Sequence, residues 1–133
     1  MRAILTAAFA LFAGSALAGD AAVGEKEFAK CKSCHGITAA DGTAIVKGGK
    51  TGPDLFGIVG RQIGAVEGFA YGDSLVAAGA DGSVWDEASL AAFMTDPGAW
   101  LKEQTGDTAA KSKMTFKLRA KGEDVAAYLA AQN

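Results

Sequence analysis

Apolar positions recur at helical spacing in five stretches, each bounded by a residue that starts or stops a helix. Asp20 stands as N-cap to a helix predicted over 21–33, with Val23, Phe28 and Cys31 in one apolar sector. Asp73 starts a short helix that Gly79 stops. Asp86 is the next N-cap, with Trp85 before it and Leu90 inside placed as a hydrophobic staple. That helix ends before Asp96-Pro97, where Asp96 caps and Pro97 opens a fourth helix to about Gln104. Gly122 precedes a last helix with Val125, Tyr128 and Leu129 as its apolar stripe. No segment alternates with period two, so the class is all-α with long loops over 36–60 and 105–119.

The N-terminus departs from this pattern. Met1-Arg2 is a short basic region, Ala3 to Ala13 is an apolar run of 11 residues, and Ala16-Leu17-Ala18 is a small-x-small cleavage site. The run falls well short of the roughly 20 residues that span a bilayer. Residues 1–18 therefore read as a cleaved signal peptide, and 19–133 as one exported domain, placed in a bacterial periplasm. That domain keeps 115 residues, with 15 acids against 12 Lys and Arg, so net basicity gives no hint of nucleic-acid binding. Seventeen of the 115 are glycine. A chain this small and rich in loops needs more than its own side chains to fill a core.

Both cysteines fall in Cys31-Lys32-Ser33-Cys34-His35, a C-x-x-C-H sequence. The spacing suits two thioether bonds to one haem, with the histidine placed to bind the iron. A structural zinc site would want a second cysteine pair, and a thioredoxin-like dithiol a βαβ setting that the helical pattern denies. A plain disulfide would leave His35 unexplained. Covalent haem c, one per chain, is the reading. His35 is the only histidine, so two histidine ligands cannot come from one chain. Of the methionines after residue 18, Met94 ends an apolar helical run and suits core packing. Met114 lies among lysines and hydroxyls in a polar loop and suits a thioether offered to a metal, though these residues alone leave the sixth ligand open.

The order and spacing of several further motifs are specific. Gly24-x-x-x-Phe28, C-x-x-C-H, Lys50-Thr51-Gly52-Pro53, Gly60-Arg61, Tyr71, Trp85, Lys113-Met114-Thr115-Phe116 and the closing helix with Tyr128 together resemble class I c-type cytochromes. The resemblance is nearest to the periplasmic bacterial cytochrome c-two group and covers essentially all of 19–133. It implies a fold of short helices and long loops wrapped round one haem, with His35 and Met114 as axial ligands. Pro53 would then offer its carbonyl to the His35 ring, and Arg61, Tyr71, Trp85 and Ser112 would bond the propionates. Gly24, Phe28, Val125 and Tyr128 would form the crossing of first and last helices, and Phe116 would pack near the exposed haem edge. One departure stands out: Phe93 occupies the place where the family commonly carries a tyrosine aimed at the methionine sulfur.

By the same resemblance the protein is a soluble, monomeric one-electron carrier and not an enzyme. It would pass electrons from a cytochrome bc complex to a photosynthetic reaction centre or terminal oxidase. Lys30, Lys32, Lys50, Lys113 and Lys117 would ring the haem edge and steer acidic partners. A gas-binding haem protein with a displaceable Met114 is the rival, slightly favoured by the missing hydroxyl at Phe93. A peroxidase is disfavoured, because no second histidine is present.

Overall fold

A computed structural model describes residues 19–133; the predicted signal peptide lies outside them. Five helices carry the fold: α1 (Ala21–Glu27), α2 (Asp73–Ala78), α3 (Glu87–Thr95), α4 (Pro97–Thr105) and α5 (Gly122–Ala130). Their starts follow the capping residues. The Asp20 side chain accepts from the N–H groups of Ala22 and Val23, and Asp86 shares a reciprocal pair of bonds with Ser89. Asp96 closes α3 and caps α4, with Pro97 at its first position. Gly106 ends α4 at φ 68°, a conformation glycine adopts without strain.

Two features differ from the expectation. The first helix does not run to 33: it ends at Glu27, tightens into a 3-10 turn over Phe28–Lys30, and passes into the turn of the cysteine motif. Burial of Phe28 and Cys31 against the core wins over continued helix. The 36–60 loop also holds an antiparallel hairpin, β1 (Ile37–Thr38) with β2 (Ala44–Val46), paired Ile37 to Val46 and Thr38 to Ala44 with a bulge between. Strands this short show no alternation. The readable signal was Asp41-Gly42, where Asp41 accepts the Thr43 N–H at 2.9 Å and Gly42 has φ 88°.

The core centres on the crossing of α1 with α5, which α3 joins from a second side. A Cβ on Gly24 would collide with the carbonyl of Asp124, so only glycine permits this approach. The rings of Phe28 and Tyr128 meet beside it, centroids 5.6 Å apart, and the backbone N–H of Asp20 donates to Asp124 Oδ1 at 2.7 Å. A second cluster stacks Trp85 on Trp100 with Phe93 against both. These two clusters wall a space that no side chain fills.

Candidate functional site

The turn after α1 gathers the reactive groups. The N–H groups of Cys34 and His35 both donate to the Cys31 carbonyl, at 3.1 and 2.9 Å. Cys31 is buried, Cys34 is exposed, and both are free thiols. Burial first, and then the neighbouring Cys34, push the Cys31 thiol up to about 11.

His35 is held from behind. Its Nδ1 lies 2.8 Å from the Pro53 carbonyl. A carbonyl only accepts, so Nδ1 carries the hydrogen and the lone pair of Nε2 is free for a metal. Burial lowers the ring's pKa, against the opposing pull of the Pro53 bond and the Asp54 charge, and keeps the imidazole neutral. A Cβ on Gly52 would clash with the His35 ring, so the Gly52-Pro53 loop can pass this closely only without a side chain.

Cys31, Cys34, His35 and Pro53 line a chiefly apolar cavity of about 370 Å³, shared with Phe28, Leu90, Phe93, Leu101 and Leu129 from the core. Tyr71, Trp85, Ser112 and Met114 line it too. Tyr71 accepts the Val66 N–H at 3.2 Å, which leaves its own hydroxyl hydrogen to donate, and burial raises its pKa. Met114 is half-buried against the core. Met94 is buried in α3 and also reaches the wall, as core packing allows. Phe93 faces the same space and is 8% exposed.

Arg61 is the exception among the expected residues. It does not line the cavity. Its carbonyl accepts the Trp85 N–H at 2.9 Å, and its guanidinium lies over Gly57, where a Cβ would stand 3.3 Å from Nη2. Its charge still reaches Tyr71, where it favours the ionised form. The sequence reading passed over Phe69, which packs edge-on against Tyr71 with centroids 4.9 Å apart, and Asp54, discussed below. Nothing in local pattern marks Phe69, but Pro-Asp at a loop is a turn signal that pointed to Asp54.

The lysines are not equivalent. Lys30 pairs with Glu27 at 2.6 Å and Lys117 with Asp96 at 3.1 Å. Lys113 donates to the Ala70 carbonyl at 3.2 Å and keeps its charge unpaired, as do the exposed Lys32 and Lys50, among the described residues. Phe116, 44% exposed, lies at the cavity beside this stretch.

No protein-family model matches the chain. It is 58% identical over 126 residues to cytochrome c2 of Rhodobacter capsulatus, covering 95% of this chain and 92% of that one. Against cytochrome c-550 of Paracoccus versutus the identity is 61% over 114 residues, covering 84% and 74%. The Rhodobacter capsulatus cytochrome c2 structure superposes with a TM-score of 0.84 at 60% identity, over 85% of this chain and 97% of that chain. The chain belongs to the class I c-type cytochromes, in the cytochrome c2 group. It is an electron-transfer protein and not an enzyme, and a cytochrome of this group carries one covalently bound haem c. The donor set agrees with that group: two free thiols on one turn, a neutral imidazole with Nε2 unengaged, and apolar space beside them. No helix among the described residues is long and apolar enough to cross a membrane.

Proposed function

We propose that this cytochrome c2 is a soluble periplasmic carrier, exported by cleavage after Ala18. It takes single electrons from a cytochrome bc complex and delivers them to a photosynthetic reaction centre or terminal oxidase. Cys31 and Cys34 would hold the haem through thioethers, His35 and Met114 would bind its iron, and Tyr71, Trp85 and Ser112 would meet the propionates. Arg61, whose charge reaches Tyr71, would support the propionates as well. The haem supplies one-electron chemistry, and a His/Met ligand pair sets it at high potential.

The observation that carries this reading is His35. Pro53 occupies its Nδ1, so the ring offers a single, oriented nitrogen to a space that also holds the Met114 thioether. Soft and neutral on both sides, such a ligand pair needs no proton change when the charge on the site changes. The test is the spectrum of the purified holoprotein. A low-spin ferric form with a sulfur-to-iron band supports it. An open sixth position would favour the gas-binding reading instead, for which the one favourable observation is Phe93 facing the cavity without a hydroxyl.

A further inference from the structure

Asp54 follows the proline that holds His35, and its carboxylate is built into the backbone around that contact. Oδ1 accepts the N–H of Phe56 at 3.0 Å and the N–H of Thr38, on β1, at 3.1 Å. The same turn is tied back by Leu55, whose N–H donates to the Gly36 carbonyl at 3.0 Å. A Cβ on Gly36 would stand 3.7 Å from Oδ2, so the second oxygen lies beside the residue next to His35. Asp54 is half-buried. The adjoining groove holds Lys47, Lys50 and Glu67, yet among the described residues no cation forms an ion pair with Asp54. Its carboxylate is therefore fixed in place, partly shielded from water, and without a salt-bridge partner among the described residues.

We propose that Asp54 sets the reduction potential from the His35 side, its carboxylate favouring the oxidised site and lowering the potential. The inference rests on His35 being an axial ligand. Reduction brings one electron from the redox donor to the site, and no proton or bond moves with it. A fixed negative charge opposes that electron, by an amount that grows as water is excluded between them. Asp54 touches neither the imidazole nor the cavity-facing ligands, so it is a positioning and charge-setting residue.

Three variants of the holoprotein separate charge from scaffold. Asp54→Asn removes the charge and keeps an acceptor oxygen for both N–H groups. Asp54→Ala removes the charge and the acceptor. Asp41→Asn is the control, an exposed aspartate making the same kind of turn bond in the hairpin. Redox titration is expected to show Asp54→Asn shifting the reduced-to-oxidised ratio at fixed poise toward the reduced form by about three- to tenfold, tenfold being about 59 mV for one electron. Asp54→Ala should shift it alike and also lower the thermal midpoint, while Asp41→Asn shifts nothing. An unchanged ratio in Asp54→Asn, or an equal shift in Asp41→Asn, overturns the proposal. The strongly shifted imidazole ring protons in the magnetic resonance spectrum of the oxidised, unaltered protein judge His35 ligation separately, since their absence removes that reading whatever the Asp54 pair does.

Discussion

The backbone N–H of Leu118 donates to the carbonyl of Met94 at 2.7 Å. One methionine thus anchors, through its main chain, the loop that carries the other. At its other end the loop is tied where the Lys111 N–H donates to Ser74 Oγ at 3.0 Å. The two residues have the same side chain and opposite duties, and substitution separates them. Met114→Ala should keep the haem attached, abolish the sulfur-to-iron band, lower the potential and admit added ligands to the iron. Met94→Ala leaves its carbonyl in place, so it should cost roughly 2–5 kcal/mol of stability and spare the band. Optical spectra and denaturant midpoints of the pair check this, and exchanged phenotypes would mean the ligand is Met94.

Phe93 gives a second test. It stands in the cavity wall against Trp85 and Trp100, with centroids 5.2 and 5.5 Å away. Phe93→Tyr adds a donor that can reach the ligand side of the cavity. A net hydrogen bond is worth about 1 kcal/mol, so a modest shift in potential is expected. Voltammetry of the two proteins measures it, and identical potentials would show that the ring's far edge does not face the sulfur.

Docking should follow available charge more closely than lysine count. Lys113→Glu or Lys50→Glu is expected to slow second-order electron transfer to an acidic-faced partner by more than Lys30→Glu or Lys117→Glu. The latter two already stand beside acids, although exposed pairs of this kind bind weakly. Lys102, in α4, serves as the remote control. The effect should fade with salt, because the Debye length is about 8 Å at physiological ionic strength. Stopped-flow rates across a salt series settle the ranking; equal losses at Lys102 and Lys113 would remove the case for a localised docking face.

The Asp86 cap has a pH signature. The Ser89 backbone N–H first, and then the Ser89 side chain, hold its carboxyl below the usual range. A lowered folded-state pKa means stability present above the unfolded value, near 3.9, and lost as pH falls through the folded one. Asp86→Ala should cost about 0.5–1 kcal/mol at neutral pH, toward the low end for so exposed a cap. The gap between variant and parent should close in acid. Urea midpoints from pH 7 downward read it directly, and a gap that widened in acid would contradict the capping role.

Without haem attachment the chain is expected to stay unfolded. Phe28, Leu101 and Leu129 belong to the buried core and also line the 370 Å³ cavity, so the core is continuous with the space that would hold the haem, and binding there adds to stability. Circular dichroism of a Cys31→Ala/Cys34→Ala double variant made without attachment enzymes would test it. Native helix content with cooperative melting would be the contrary result.

Much of this molecule was legible before its structure because its signals are local. Asp20, Asp86 and Asp96 cap through bonds to residues two or three positions away, and such bonds leave a mark in the sequence. Cys31 and His35 share one turn and were read from five consecutive residues. The misses depend on partners far along the chain. The hairpin is five residues of strand in all, below any periodic signal. The placement of Arg61 is of this long-range kind too: the Gln62–Val84 bridge and its own bond to Trp85 fix its backbone, and its side chain lies over Gly57. Likewise, the Asp96 partner of Lys117 lies 21 residues away and shows only in three dimensions. The Glu27 partner of Lys30, by contrast, is an i,i+3 neighbour that the sequence displays; both change which cations a docking face can use.

The crossing of α1 and α5 also sets an order of events. Its Asp20–Asp124 bond joins positions 104 apart, and Gly24 packs on the same far segment. While the chain is being made, α1 has no companion until a helix about a hundred residues downstream arrives, and an isolated helix of seven residues does not persist in water. The segment bearing Cys31, Cys34 and His35 therefore lacks its α5 packing partner for nearly the whole of synthesis. The seam cannot close before the last helix is made, so the most distant hydrogen bond among the described residues is also the one that fixes α1 in place.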